Sequence, residues 1–137
     1  MSLKVRFALV AGFAIAGWGL TLSAPRVLAA PEIAGDSASG EVLFRKRACA
    51  MCHSMEPGKN LNGPSLAGVY GRAVGKVPGY RYSPGLSAEK GRWDKARLDK
   101  WLEDPRRMVP GSRMAVKVPS AQERAAIIAY LKANSVK

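Results

Sequence analysis

Soft metal ligands are scarce in this chain, which has two cysteines and one histidine in 137 residues. A structural zinc site draws on four Cys or His side chains, so three cannot complete one. A framework of several disulfides is excluded too, because two cysteines form a single bridge at most. Acidic residues are few, 10 against 22 Lys and Arg, giving a formal net charge of +12. No internal repeat occurs, and no alternating pattern marks a strand pair, so the βαβ setting of a thioredoxin-like dithiol is lacking. The length suits one domain with an added segment.

The one long apolar run, Phe7–Leu22, lies at the front, after Lys4 and Arg6 and before small residues ending in Val27-Leu28-Ala29. A basic start, an apolar middle and a small-residue exit describe a secretory signal, expected to span 1–29 and to leave a mature domain at 30–137. Cutting after Ala30 would put Pro31 next to the cut. The alternative is an uncleaved membrane anchor, since the run approaches the ~18 residues of a spanning helix. Both readings place the remainder outside the cytoplasm. Without Lys4, Arg6 and Arg26 the mature part keeps 19 basic and 10 acidic residues, about +9. That charge suits an acidic protein surface as partner. Nucleic acid is the other habitual partner of basic chains, but an exported one has little access to it, and none is expected.

All three soft ligands fall within Cys49-Ala50-Met51-Cys52-His53. Cys-x-x-Cys-His is the c-type haem attachment signature. Each thiol adds across a haem vinyl group, and the adjacent neutral imidazole is carried under the iron. A local disulfide would leave His53 without a role. Covalent haem c, one per chain, is the expected cofactor.

Asp36 reads as the N-cap of a first helix with an apolar stripe of Gly40, Val42, Leu43, Phe44 and Ala48, running into the motif,. From Ser54 to Arg92 the chain is rich in Gly, Pro, Ser and Asn without sustained period. So long an irregular stretch suits a wrapping around haem. Leu61, Leu66, Val69 and Leu86 are expected to line the pocket, and Tyr70, Tyr80 and Tyr82 to reach the propionates. A second helix is predicted over Asp94–Asp104, with Leu98, Trp101 and Leu102 on one face and Pro105 as its stop. A turn-like segment 106–114 follows. Ser120 and Glu123 form a capping box for a last helix with Ala126, Ile127, Tyr130 and Leu131 inward. For the second axial ligand no other His or free Cys remains. Met51 and Met55 sit too near the motif, leaving Met108 and Met114, and the Pro110-Gly111 turn favours Met114.

The order of segments after the motif carries a resemblance: 62–72 (NGPSLAGVYGR), 78–83 (PGYRYS), Trp93, 101–105 (WLEDP) and 109–114 (VPGSRM). Over about 35–132 the chain resembles class I cytochrome c, the mitochondrial type and its bacterial periplasmic relatives. The resemblance implies an all-α fold whose N- and C-terminal helices cross, with haem wrapped by loops and a middle helix. It matches Met114 to the axial methionine, beside His53, and Pro64 to the carbonyl that orients the histidine. It matches Arg72, Tyr82 and Trp93 to propionate partners, and Gly40 and Phe44 to the helix crossing with Ile127 and Tyr130. It also matches Arg106, Arg107 and Arg113 to a basic rim at the haem edge, with Lys46 and Arg47 nearby.

Two departures are visible: Trp101 stands where the family often has a tyrosine bonding the methionine sulfur, and Leu86 where a buried asparagine is common. One residue is added between Phe44 and Cys49. The resemblance implies a monomeric periplasmic carrier of single electrons, not an enzyme. It would run from a quinol-oxidising complex to a terminal oxidase, reaction centre or periplasmic reductase, docking on acidic faces of membrane redox complexes.

Overall fold

A computed structural model describes residues 36–135. The leader expected over 1–29, cleaved or anchoring, lies outside them. Among the described residues helix is the regular structure, with one isolated antiparallel bridge between Ala73 and Arg92, so the expected all-α class is found. No described helix is long and apolar enough to cross a membrane.

Helix α1 (Ser37–Lys46) begins where the Asp36 carboxylate accepts the Ser39 N–H at 2.8 Å,. Its inward face is Gly40 and Phe44, four residues and one turn apart,. Val42 departs from expectation, being 65% exposed. Two residues from either neighbour, it is rotated about 200° away at 100° per residue and faces solvent. The helix also stops short of the motif. Arg47 caps it, and Ala48 turns the chain in the left-handed region at φ 58°, before a 3₁₀ turn at Cys49–Met51. The Ala48 conformation costs an L-residue about 1–2 kcal/mol.

Between 54 and 92 the chain is irregular, as predicted, except for α2 (Pro84–Ala88). Ser83 as N-cap with Pro84 at the first helical position was the local signal, and five residues are too few to show a period,. Backbone bonds close the stretch on itself: Trp93 N–H reaches Arg72 O at 2.9 Å and Gly71 N–H reaches Trp93 O at 2.8 Å. Helix α3 (Lys95–Glu103) buries Leu98, Trp101 and Leu102. Pro105 stops it and also starts α4 (Pro105–Met108), so part of the turn-like segment is helical. Pro lacks an N–H that a first turn does not need, and the Asp104 side chain caps α4 by accepting from Arg107 N–H at 3.1 Å.

Helix α5 (Ala121–Ala133) starts at Ser120, whose hydroxyl accepts the Glu123 N–H at 3.3 Å. Only half of the capping box forms, because the Glu123 carboxylate is drawn to Arg47, whose Nε donates to it at 2.9 Å. Buried residues lie on more than one face of α5, since α1 and α3 both pack on it. At the α1–α5 crossing the Phe44 and Tyr130 ring centroids are 5.5 Å apart. A Cβ built at Gly40 would sit 2.1 Å from Ala126 O, which is backbone and cannot step aside. Gly40→Ala is therefore expected to cost about 2–4 kcal/mol of stability, despite the better helix propensity of alanine. A urea midpoint equal to wild type would show that the crossing tolerates a wider spacing.

Candidate haem site

The helices and the wrapping stretch enclose a cavity of about 290 Å³. Its walls are Phe44 of α1, Leu66, Val69, Leu86, Trp93, three residues of α3 (Leu98, Trp101, Leu102), and Ile127 and Leu131 of α5. Cys49, Cys52, His53 and Met114 belong to the same lining. The core thus surrounds an apolar space with its soft ligands along the boundary.

The motif is held by the loop that follows it. His53 N–H bonds Cys49 O at 2.9 Å, and Gly63 N–H bonds Cys52 O at 2.7 Å. His53 Nδ1 lies 2.8 Å from Pro64 O. A carbonyl only accepts, so Nδ1 carries the proton and Nε2 keeps its lone pair. Burial lowers the His53 pKa, opposed by the Pro64 bond, and the imidazole is kept in its neutral, ligating form. Cys49 and Cys52 form no disulfide with each other, and they stand half-buried and exposed respectively, open to attachment of a group in the cavity.

Arg72 supplies the test of fit for an acidic, planar group. Its Nη1 and Nη2 donate to Ala67 O at 2.8 Å and Ser65 O at 2.9 Å. Its Nε is buried without a partner, which costs about 1–3 kcal/mol or more for a charged group. Burial lowers the pKa of this cation, so a carboxylate nearby would relieve both penalties,. Arg72, Tyr82 and Trp93 line the cavity together. The Tyr82 oxygen accepts from Val77 N–H at 3.4 Å, leaving its own O–H to donate, and burial raises its pKa. An apolar slot with a neutral imidazole, two thiols and an under-bonded guanidinium fits a haem with two propionates.

The eight residues expected at the site, Cys49, Cys52, His53, Pro64, Arg72, Tyr82, Trp93 and Met114, all line this cavity. Of the methionines in the described residues, Met114 alone does so; Met108 packs against the core, and Met51 is 76% exposed. Two expected lining residues do not belong. Leu61 is 45% exposed on the outside of its loop. Tyr70 packs on the core and lies under Lys132 Nζ, 5.5 Å from its ring centroid, so it is no propionate partner. Arg47 is engaged by Glu123 and is not a free charge of the rim. Ser112, part of the 109–114 segment but assigned no role there, accepts the Met114 N–H at 3.2 Å.

A family model described as Cytochrome c matches residues 37–135. The chain belongs to the cytochrome c family. It is 44% identical over 99 residues to a cytochrome c of Euglena viridis, covering 72% of this chain and 96% of that protein. It is 45% identical over 85 residues to cytochrome c2 iso-2 of Magnetospirillum fulvum, covering 61% and 88%. Cytochrome c-type cyt cy of Rhodobacter capsulatus is 45% identical over 100 residues, and there the match spans 49% of the relative. Among solved structures, cytochrome cH from Methylobacterium extorquens aligns with a TM-score of 0.66 and 40% identity, over 72% of this chain and 99% of that one. This cytochrome is a monohaem c-type electron carrier with covalent haem c, and Cys49 and Cys52 are consistent with the attachment motif.

Gly63 explains how closely the imidazole is backed in this cytochrome. A Cβ there would meet the His53 ring at 2.3 Å. Gly63→Ala must push the ring away or break its bond to Pro64. The expected result is a several-fold lower yield of holoprotein, with a shifted reduction potential in what matures, since ligand orientation tunes the metal. Wild-type yield and potential together would show that the ring has room.

Proposed function

We propose that this cytochrome shuttles single electrons outside the cytoplasm, in the periplasm, with His53 and Met114 as the two protein ligands of the iron. The observation that carries the reading is that His53 and Met114 line the same apolar cavity while Met108 does not. The haem iron supplies the one-electron couple. The chain's residues keep the geometry fixed: Pro64 O holds the imidazole, Ser112 Oγ holds the Met114 backbone, and α3 and α5 exclude water. With His53 and Met114 both holding the iron, the bound group would have no open coordination position, which suits outer-sphere transfer of one electron.

A quinol-oxidising complex as donor, and a terminal oxidase, reaction centre or periplasmic reductase as acceptor, agree with the charge distribution. The partner surface is acidic, and the carrier works as a monomer without enzymatic turnover. Arg106 and Arg107 on α4, and Arg113 beside Met114, are exposed and make no ion pair with a described acidic residue. Six described carboxylates, by contrast, each pair with a Lys or Arg. Opposite charges so compensated leave the uncompensated ones to dominate the field a partner meets. Met51 and Val116, 76% and 42% exposed, add apolar contact beside the attachment loop and the Met114 segment.

Met114→Ala should abolish the weak long-wavelength sulfur-to-ferric band and open the ferrous protein to carbon monoxide. Met108→Ala should leave both properties intact; the reverse pattern would move the ligand to Met108. For docking, Arg107→Glu should slow second-order electron transfer to an acidic partner at low salt without altering the absorption spectrum. The difference should shrink as the Debye length falls from about 10 Å at 0.1 M to 3 Å at 1 M salt. Lys95→Glu is the control: Lys95 opens α3, whereas Arg107 lies beyond its far end, at least about 12 Å along the axis,. Equal effects at the two positions would mean that total charge, and no particular face, governs encounter.

A further inference from the structure

We propose that Arg124 is a positioning residue that holds the Met114 side of the haem site closed, by clamping the end of the segment that carries Met114. The proposal rests on the reading of Met114 as iron ligand. Arg124 is 6% exposed and lies in the first turns of α5, yet it does not line the cavity. It can act on the site only through the backbone it grips. Its Nη1 donates to Val118 O at 3.0 Å and to Pro119 O at 2.8 Å. Its Nε donates to Asp99 Oδ1 at 2.7 Å, and Nη2 approaches Asp99 Oδ2 at 3.4 Å. One planar fork therefore joins α5, α3 and the chain leaving the site.

The grip matters because of what the segment lacks elsewhere. From Val109 the chain is fixed as far as Ser112, whose hydroxyl holds Met114 N–H. Ala115, Val116 and Lys117 are exposed, and their one side-chain bond is the surface pair of Lys117 Nζ with the Asp104 carboxylate at 2.5 Å, which leaves the backbone free. The next anchor is Val118, fully buried, with its N–H on Leu102 O at 2.8 Å and its carbonyl on Arg124. Met114, its N–H held by Ser112, and Val118 are thus two fixed points four residues apart. An extended span of that length is about 13 Å, so slack at the second point is transmitted to the first. Lysine cannot replace the fork, because an ammonium does not reach two carbonyls and a carboxylate in one plane.

In the ferric holoprotein the rate of imidazole binding reads how often the Met114 side opens, and amide hydrogen exchange at Val118 and Met114 reads the backbone directly. Arg124→Gln should raise the imidazole rate about tenfold and speed exchange at both amides, as expected for losing charge-assisted bonds. Asp99→Asn keeps the carbonyl bonds and should raise the rate about threefold. Arg124→Lys should fall between wild type and Arg124→Gln. Arg97→Gln, which breaks the 3.0 Å pair with Glu89 from the same helix α3, should lower stability without changing either readout. A lowered unfolding midpoint in Arg124→Gln with wild-type imidazole binding and exchange would overturn the proposal, leaving a structural role only. If Arg124→Gln does not fold, Asp99→Asn decides on the same readouts. Met114→Ala binding imidazole no faster than wild type sinks the ligand assignment alone, and exchange at Val118 still decides the clamp.

Discussion

The space at the centre of the domain sets the terms for everything around it. Leaving 290 Å³ unfilled among aliphatic and aromatic side chains costs about 24 cal/mol per Å³, or about 7 kcal/mol,. A domain of this size is stable by only about 5–15 kcal/mol in total. Its α1 wall is braced from behind: Gly40 lets α1 lie on Ala126, and the Phe44 ring meets Tyr130 tilted at 50°. The haem is therefore the missing part of the core, and covalent attachment keeps it there. An irregular stretch as long as 54–92 is tolerable for the same reason, since it packs on a large apolar surface instead of on itself.

Polar groups around that space are spent on orientation. Pro64 fixes the histidine tautomer, Ser112 holds Met114 N–H, and Arg72 keeps one buried donor in reserve for an anion. On the methionine side the lining is apolar, with Leu86, Leu98, Trp101 and Leu102, and Trp93 against Trp101 at 5.3 Å between ring centroids. Residue 101 offers no hydroxyl, and the Met114 segment is held through its backbone instead. That gives the Ser112 and Val118 anchors their weight, and links a buried arginine outside the cavity to chemistry inside it.

Charge follows a similar division. Pairs such as Arg47–Glu123 and Arg124–Asp99 tie helices together and are half-buried or buried, whereas Arg106, Arg107 and Arg113 stay in water. Formal charge alone does not separate these two sets, which is why Arg47 looked like part of the rim before the fold was known. Burial and a partner decide whether a guanidinium is structural or available for docking.

Much was determined by the sequence itself. The five-residue motif named the cofactor, because thioether chemistry and a neighbouring imidazole are local requirements. Caps at Asp36 and Ser120, and an apolar face ended by Pro105, located three helices, since these signals are also local, and ordered motifs from 62 to 114 made the family legible. Tertiary structure alone decided matters that depend on distant partners. It moved Val42, Leu61 and Tyr70 away from the roles their hydrophobicity suggested, and took Glu123 from its capping box to Arg47. It left Arg72 with an unmet donor, and brought Arg124 to carbonyls five and six residues earlier and to Asp99 on another helix. Periodicity reports which residues prefer burial, but only the packed chain determines what each one is buried against.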